Sequence, residues 1–264
     1  MNDYQQKSGL GSSNLESAQS KLKSGRDRLF NQFHATGLQA ADPQQSLDAH
    51  FKHIASTYDW NYKDLLPADN NAKIMDIGCG LGQFLYWLQQ KGYKNFLGVD
   101  VSQEMLDIAR QKATVKVKKI NSIKEFLSAE TESYDLIVMN DVIEHLSKQE
   151  IIDDLEMIKA VLKKGGKLII KTNNLAAITG ARMRYSDFTH EVGLTEYSIR
   201  QILMAAGFST VEIKPFAMPL IGLGRYVRFI LQKISNLSWK LMFWINFTPV
   251  PKIVDEMIFA VGIK

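Results

Sequence analysis

The segment Asp76-Ile77-Gly78-Cys79-Gly80-Leu81-Gly82 decides how this chain is read. Before it, Lys73 to Ile77 is a short apolar run of strand length, and after it Phe84 to Gln90 has helical spacing. Glycines between a strand and a helix let the backbone turn sharply and admit a ligand where a Cβ would otherwise stand. Eighteen residues past Gly82, Asp100 closes a second apolar run, Phe96 to Val99. A carboxylate at that point can accept hydrogen bonds from both hydroxyls of a ribose. A glycine turn and an acid at the end of the next strand therefore predict a βαβ unit that holds an adenosine.

Outward from that unit the alternation continues. Ser102 suits the N-cap of a helix over Glu104 to Lys112. Val115 to Ile120 and Leu136 to Met139 read as the third and fourth strands. Gln149 to Leu162 reads as a helix stopped by Lys163-Lys164-Gly165-Gly166, and Lys167 to Lys171 as the fifth strand. Thr195 caps a helix to Ala206, with Gly207 as its terminator, and Val211 to Pro215 and Ile258 to Ile263 complete the set. Upstream, Ala49 to Leu66 has helical spacing and ends at Pro67. The expectation is an α/β domain over 46–264, with a doubly wound, mostly parallel seven-stranded sheet and a helical insertion, 217–252, before the last strand. Residues 1–45 read as a mobile polar leader with one short helix around Lys21 to Phe33.

The turn also selects among nucleosides. A dinucleotide site wants Gly-x-Gly-x-x-Gly, yet position 83 is Gln83, which argues against a pyrophosphate cofactor and an NAD-dependent oxidoreductase. S-adenosylmethionine lacks a pyrophosphate and carries an ammonium group, which suits Asp76 beside the turn. Ile74 to Gly82 with Asp100, then Asn140-Asp141-Val142-Ile143-Glu144-His145-Leu146 and the Gly165-Gly166 turn, resemble class I S-adenosylmethionine-dependent methyltransferases with their Rossmann-like fold. The resemblance covers about residues 49 to 212. It implies that Gly78, Gly80 and Gly82 surround the methionine part of the cofactor and that Asp76 holds its ammonium group. By the same resemblance Asp100 binds the ribose, Val101 and Met105 flank the adenine, and Ser122 and Ile123 meet its edge. Asn140 would face the methyl group, and Tyr58 would cover the cofactor from the upstream helix.

Methyl transfer to an alcohol needs alignment and a base, and histidine is poised for the second task near neutral pH. His145 follows the fourth strand on the ligand-binding edge of the sheet. His190 lies in the polar stretch Arg182-Met183-Arg184-Tyr185-Ser186-Asp187-Phe188-Thr189-His190-Glu191. That stretch and the helix after it resemble methyltransferases of bacterial surface-polysaccharide gene clusters. The implied acceptor is a sugar, glycan or lipid-linked glycan hydroxyl, with His190 as base, His145 second and Asp187 beside them. Arg182 and Arg184 would hold an anionic group of the substrate. A quinone-like or other lipophilic acceptor is the alternative, and a non-catalytic cofactor-binding subunit a further one. Asp141, Glu144 and Asp187 offer oxygen atoms, but no spacing demands a metal, and none is expected.

Composition sets bounds on the rest. The chain has 264 residues, 45% hydrophobic and 23% charged, enough for one full core and typical of globular proteins. Its single cysteine, Cys79, excludes a disulfide framework or multi-cysteine zinc site. Met1 to Gly25 is polar and unlike a signal peptide, so a cytoplasmic location is expected. The charge is unevenly placed. No acid lies between Glu212 and Asp255, where Lys214, Arg225, Arg228, Lys233, Lys240 and Lys252 stand among many aromatics. Tyr226 to Phe247 is apolar, but a spanning helix would bury Lys233 or Lys240 in lipid at about 2.5–3.5 kcal/mol each. A helix lying in the interface at the inner membrane face fits better, with packing on the domain or a homodimer as the alternatives. Nucleic acid is not an expected partner, because six cations among so many aliphatics do not track phosphates.

Overall fold

The computed structural model describes Leu29 and residues 47–112, 116–131 and 133–264. The leader and its expected helix lie outside the described residues, Leu29 apart. Gln45–Lys264 is one compact unit.

The sheet has seven strands: β1 (Ile74–Ile77), β2 (Phe96–Asp100), β3 (Val117–Lys119), β4 (Tyr134–Asn140), β5 (Leu162–Asn173), β6 (Thr210–Pro215) and β7 (Met257–Ile263). Their spatial order is β3-β2-β1-β4-β5-β7-β6. β1 through β5 pair in parallel, and β7 runs antiparallel to both β5 and β6. This is the expected doubly wound architecture. The eight α-helices of the described residues are α1 (Leu47–Tyr62), α2 (Gln83–Gln90), α3 (Gln103–Lys112), α4 (Ile123–Ser128), α5 (Lys148–Val161), α6 (Gly180–Ser186), α7 (Glu196–Ala205) and α8 (Leu223–Ile245).

The central strands are apolar because both faces are covered. β1 is buried at all four positions, so Asp76 within it is a carboxylate inside the sheet. One face packs β1, β4 and β5 against α4, α5 and α7 through Ile137, Phe126, Leu155 and Leu203. The other is aromatic: Tyr58 and Tyr62 of α1 meet Phe84 and Trp87 of α2, and Tyr62 also meets Phe259 of β7. Helix starts follow local chemistry. Ser147 and Glu150 form a reciprocal capping box at α5, and Thr195 and Ser198 form one at α7. Gly207 turns the chain out of α7 at φ 82°, a conformation only glycine adopts freely.

Several sequence-based boundaries move. The upstream helix ends at Tyr62 and tightens into a 3-10 turn, Lys63–Leu65, before Pro67. Lys163 to Gly166 belongs to β5 as a bulge: the register steps from Tyr134↔Leu162 to Leu136↔Lys167, and Gly165 N–H donates to the Lys264 carbonyl at 3.1 Å. The third strand is shorter than expected, Val117–Lys119. Helix α4 is an element the sequence reading does not assign, with Ser122 accepting from Glu125 N–H at 3.2 Å. The stretch carrying Arg182 and Arg184 is helix α6.

The insertion between β6 and β7 is α8, a 23-residue helix with no buried residue. Among the described residues no helix is long and apolar enough to cross a membrane.

Candidate active site

The glycine turn closes on β2. Gly78 and Cys79 N–H both donate to the Val99 carbonyl, at 2.8 and 3.1 Å. Asp100 binds the turn directly: Gly80 N–H donates to Oδ2 at 2.9 Å and Ser102 N–H to Oδ1 at 2.8 Å. The carboxylate that would receive a ribose is thus held by the loop that would cradle the ligand. Gly78, Gly80 and Gly82 all have positive φ, at 69°, 49° and 81°. A Cβ on Gly78 would stand 2.3 Å from Val142 Cγ2, whereas one on Gly80 would meet nothing within 4 Å. The two substitutions should therefore separate. Gly78→Ala should lower stability by about 1–3 kcal/mol, read as a lower Tm. Gly80→Ala should carry only the strain of its positive φ, about 1–2 kcal/mol, and lose ligand affinity as well, since its methyl enters open space over the turn.

Three buried polar atoms at the carboxyl edge of the sheet have no hydrogen-bond partner: Asp76 Oδ1, Asn140 Nδ2 and Asn173 Oδ1. Asn140 is oriented by Tyr62, whose hydroxyl donates to its Oδ1 at 2.8 Å. Burial, and then the neighbouring Asp100, push the Asp76 carboxyl well above the usual carboxylate range. Burial also raises Asp100, against the backbone N–H groups of Ser102, Gly80 and Val101. Two carboxyls strained in this way favour a cationic ligand, whose charge would restore their ionised forms. S-adenosylmethionine fits these residues: Asp76 would take its ammonium group, Asn140 would donate to its amino-acid end, and Asp100 would take its ribose.

The other adenine-side residues are placed unevenly. Val101 is exposed and Met105 buried, side by side at the start of α3. Ser122 caps α4, and the Ile123 side chain is spent in the core, so its backbone N–H in the first helical turn is what it offers a ligand. Tyr58 is buried, stacked on Tyr62 at 5.7 Å between ring centroids, and its hydroxyl is raised by burial and then by Asp76.

A second group lies where the segment 187–192 folds over the turn after β4. Glu191 and Val192 N–H both donate to the Glu144 carbonyl, at 2.8 and 3.2 Å. This brings His145, Asp187 and His190 together, with candidate ligand atoms all within 4.8 Å of one another, a spacing a divalent cation would also accept. Their link is Thr189, which the sequence reading did not single out. Its hydroxyl donates to Asp187 Oδ1 at 2.7 Å and lies 2.8 Å from His145 Nδ1. A hydroxyl has one proton, so the tautomer consistent with both contacts has His145 Nδ1 donating to Thr189 and the basic lone pair on Nε2. His190 Nδ1 lies 3.0 Å from the Met183 carbonyl, an acceptor only, so its basic nitrogen is also Nε2.

Burial, and then His190, lower the His145 pKa, while Asp187 opposes the shift. Asp187 is held below the usual carboxylate range, since Thr189 and the two imidazoles outweigh its burial. A depressed folded-state pKa means that neutral His145 survives acidification that would protonate a free imidazole. The acid limb of kcat should therefore fall below pH 6.5, and the stability contributed by neutral His145 should be lost as pH falls below that value. A kcat profile measured from pH 5 to 8 checks the sign; a limb above 6.5 contradicts it.

Other candidates are placed elsewhere. Arg184 Nη2 donates to the Glu191 carbonyl at 2.9 Å, so it ties the loop, and Arg182 is exposed. Asp141 pairs with Lys171 at 2.5 Å. Glu144 is buried and accepts from Thr172 at 3.1 Å; burial and then Asp141 raise its pKa. Of the three oxygens considered for a metal, only Asp187 joins the cluster. Tyr62 was missed although it stands four residues from Tyr58 on the same helical face. Thr189 was missed although it lies inside the quoted Asp-x-Thr-His segment.

A doubly wound sheet with a glycine turn, a ribose-ready acid and a cation-seeking pair of carboxyls defines a class I methyltransferase. The profile of the family described as "Methyltransferase domain" matches residues 50–213, and the chain belongs to that family. A "Ubiquinone biosynthesis O-methyltransferase" of Roseobacter denitrificans is 28% identical over 186 residues, covering 64% of this chain and 73% of the relative. One of Coxiella burnetii is 29% identical over 147 residues, covering 47% of this chain and 60% of the relative. The chain thus spans about three fifths of the Coxiella relative's length. A SAM-dependent methyltransferase from Archaeoglobus fulgidus has the same fold, with a TM-score of 0.61 at 18% identity over 81% of this chain and 94% of that one.

Proposed function

We propose that the chain transfers the methyl group of S-adenosylmethionine to a hydroxyl of a small lipophilic acceptor of the quinol type, presented at a membrane surface. The observation that carries O-methylation is the His145–Thr189–Asp187 relay. When bound, the cofactor supplies an electrophilic methyl group on a sulfonium sulfur. His145 takes the acceptor's proton on Nε2. Its Nδ1–H then donates to Thr189, whose own proton points to the Asp187 carboxylate, so the imidazolium is stabilised without a second proton transfer. On this reading His145 is the base ahead of His190, whereas the sequence reading puts His190 first. The acceptor class is supported by the two relatives' names and by the apolar outer face of α8.

A sugar or glycan hydroxyl is the second reading. It is supported by Tyr185 and Phe188, 80% and 91% exposed beside the cluster, whose ring faces suit the C–H face of a sugar. Labelled methyl donor offered with a short-chain catechol-type phenol, and in parallel with nucleotide sugars and lipid-linked glycans, separates the two. Label in the phenol supports the first reading, label only in sugar overturns it for the second, and label in neither removes both.

A further inference from the structure

We infer that α8 is an in-plane anchor that docks the enzyme on an anionic lipid bilayer. It shares with the proposed reading the expectation of a membrane-borne acceptor, but it rests on its own observations. At helical periodicity, Val227, Ile230, Ile234, Leu237, Leu241 and Ile245 share one face, each between 45% and 72% exposed. The opposite face is tied to the domain: Trp239 Nε1 donates to the Ala176 carbonyl at 2.8 Å, and Asn236 and Lys233 donate to Asp255. The exposed face therefore points away from the protein.

The edges of that face decide what covers it. Lys233 and Lys240 border one side of it, with Tyr226 and Trp244 nearer the apolar centre, while Arg228 falls on the side of Trp239. The helix contains no acid. Lys233 is paired with Asp255 and Lys240 Nζ donates to the Lys252 carbonyl, yet the stretch from Glu212 to Asp255 holds six cations and no acid between its ends, so the region as a whole is basic. Against anionic headgroups the same cations are complementary, and Tyr and Trp lie at the depth where aromatic rings prefer to sit. Near the helix's C-terminal end, Leu175, Tyr197, Phe243 and Pro251, with Thr195 and Thr248, line a mostly apolar cavity of about 540 Å³ between the helix and the domain.

The test is co-sedimentation of the full chain with phosphatidylglycerol vesicles and with phosphatidylcholine vesicles at low salt. The expected result is pelleting with phosphatidylglycerol that weakens as salt rises, and much less pelleting with phosphatidylcholine. Lys240→Glu should reduce partition at least about five-fold, the effect of one cation near an anionic surface. The double variant Ile234→Glu/Leu237→Glu should abolish pelleting yet bind S-adenosylhomocysteine normally, because both side chains are solvent-exposed and the fold does not need them. A chain that stays in the supernatant with both lipids overturns the inference. So does a dimer in sedimentation velocity that the double variant splits, which would make the face a seam between copies. Either result can coexist with methyl transfer, so the docking and the reaction fail separately.

Discussion

His145→Ala is expected to lower kcat by about 10²–10⁴-fold, the usual contribution of a positioned general base. Affinity for S-adenosylhomocysteine should stay close to that of the parent, since Gly80, Ser102 and Val99 hold Asp100 and the glycine turn. Thr189→Val separates the relay from the base itself. Valine keeps the shape but deletes the hydroxyl, which leaves His145 Nδ1–H and Asp187 Oδ1 without their common partner. The expected result is an intermediate loss of kcat with a displaced acid limb in the pH profile, because the carboxylate no longer communicates with the imidazole. A purely structural threonine would change Tm and leave the limb where it was. If His145→Ala retains full kcat while His190→Ala loses it, the roles of the two histidines are exchanged.

Asp100→Ala is expected to weaken S-adenosylhomocysteine binding by about 10²–10⁴-fold. Two hydrogen bonds from ribose hydroxyls to a carboxylate account for that range at about 1.5–3 kcal/mol each. The variant also releases Gly80 N–H and Ser102 N–H, so the glycine turn loses its anchor on β2. Asp100→Asn keeps one oxygen acceptor and should fall between parent and Ala. Titration calorimetry with the three proteins reads the series directly. Equal affinities across it would remove Asp100 from the ribose site and reduce it to a turn-holding residue.

The parts of the structure that sequence disclosed are those written in local chemistry. The Asp76 to Gly82 turn and Asp100 announce the cradle because strained backbone and a strand-end acid are visible one residue at a time. Thr195 and Gly207 bracket α7 for the same reason. The parts that escaped depend on contacts far along the chain. Tyr62 acts on Asn140 across 78 residues, and Thr189 on His145 across 44, so neither partner is identifiable until the sheet exists. Helix α4 is six residues long, shorter than two turns, and its apolar pattern could not be told from a loop's. The bulge at Lys163 to Gly166 looked like a terminator because glycine pairs end helices and also bulge strands. Arg184 looked like an anion ligand because a lone arginine gives no sign of the carbonyl it will bind. The sugar acceptor was read from a resemblance alone, since no single residue of the sequence names what a pocket will hold.

The account stands on one claim, that the turn between β1 and α2 with Asp76, Asp100 and Asn140 is a site for S-adenosylmethionine. Calorimetric titration of the full chain with S-adenosylhomocysteine, and in parallel with NAD, tests it most directly. The predicted result is one-to-one binding of S-adenosylhomocysteine and no heat with NAD. Binding of NAD in its place, or of neither, would contradict the account at its base.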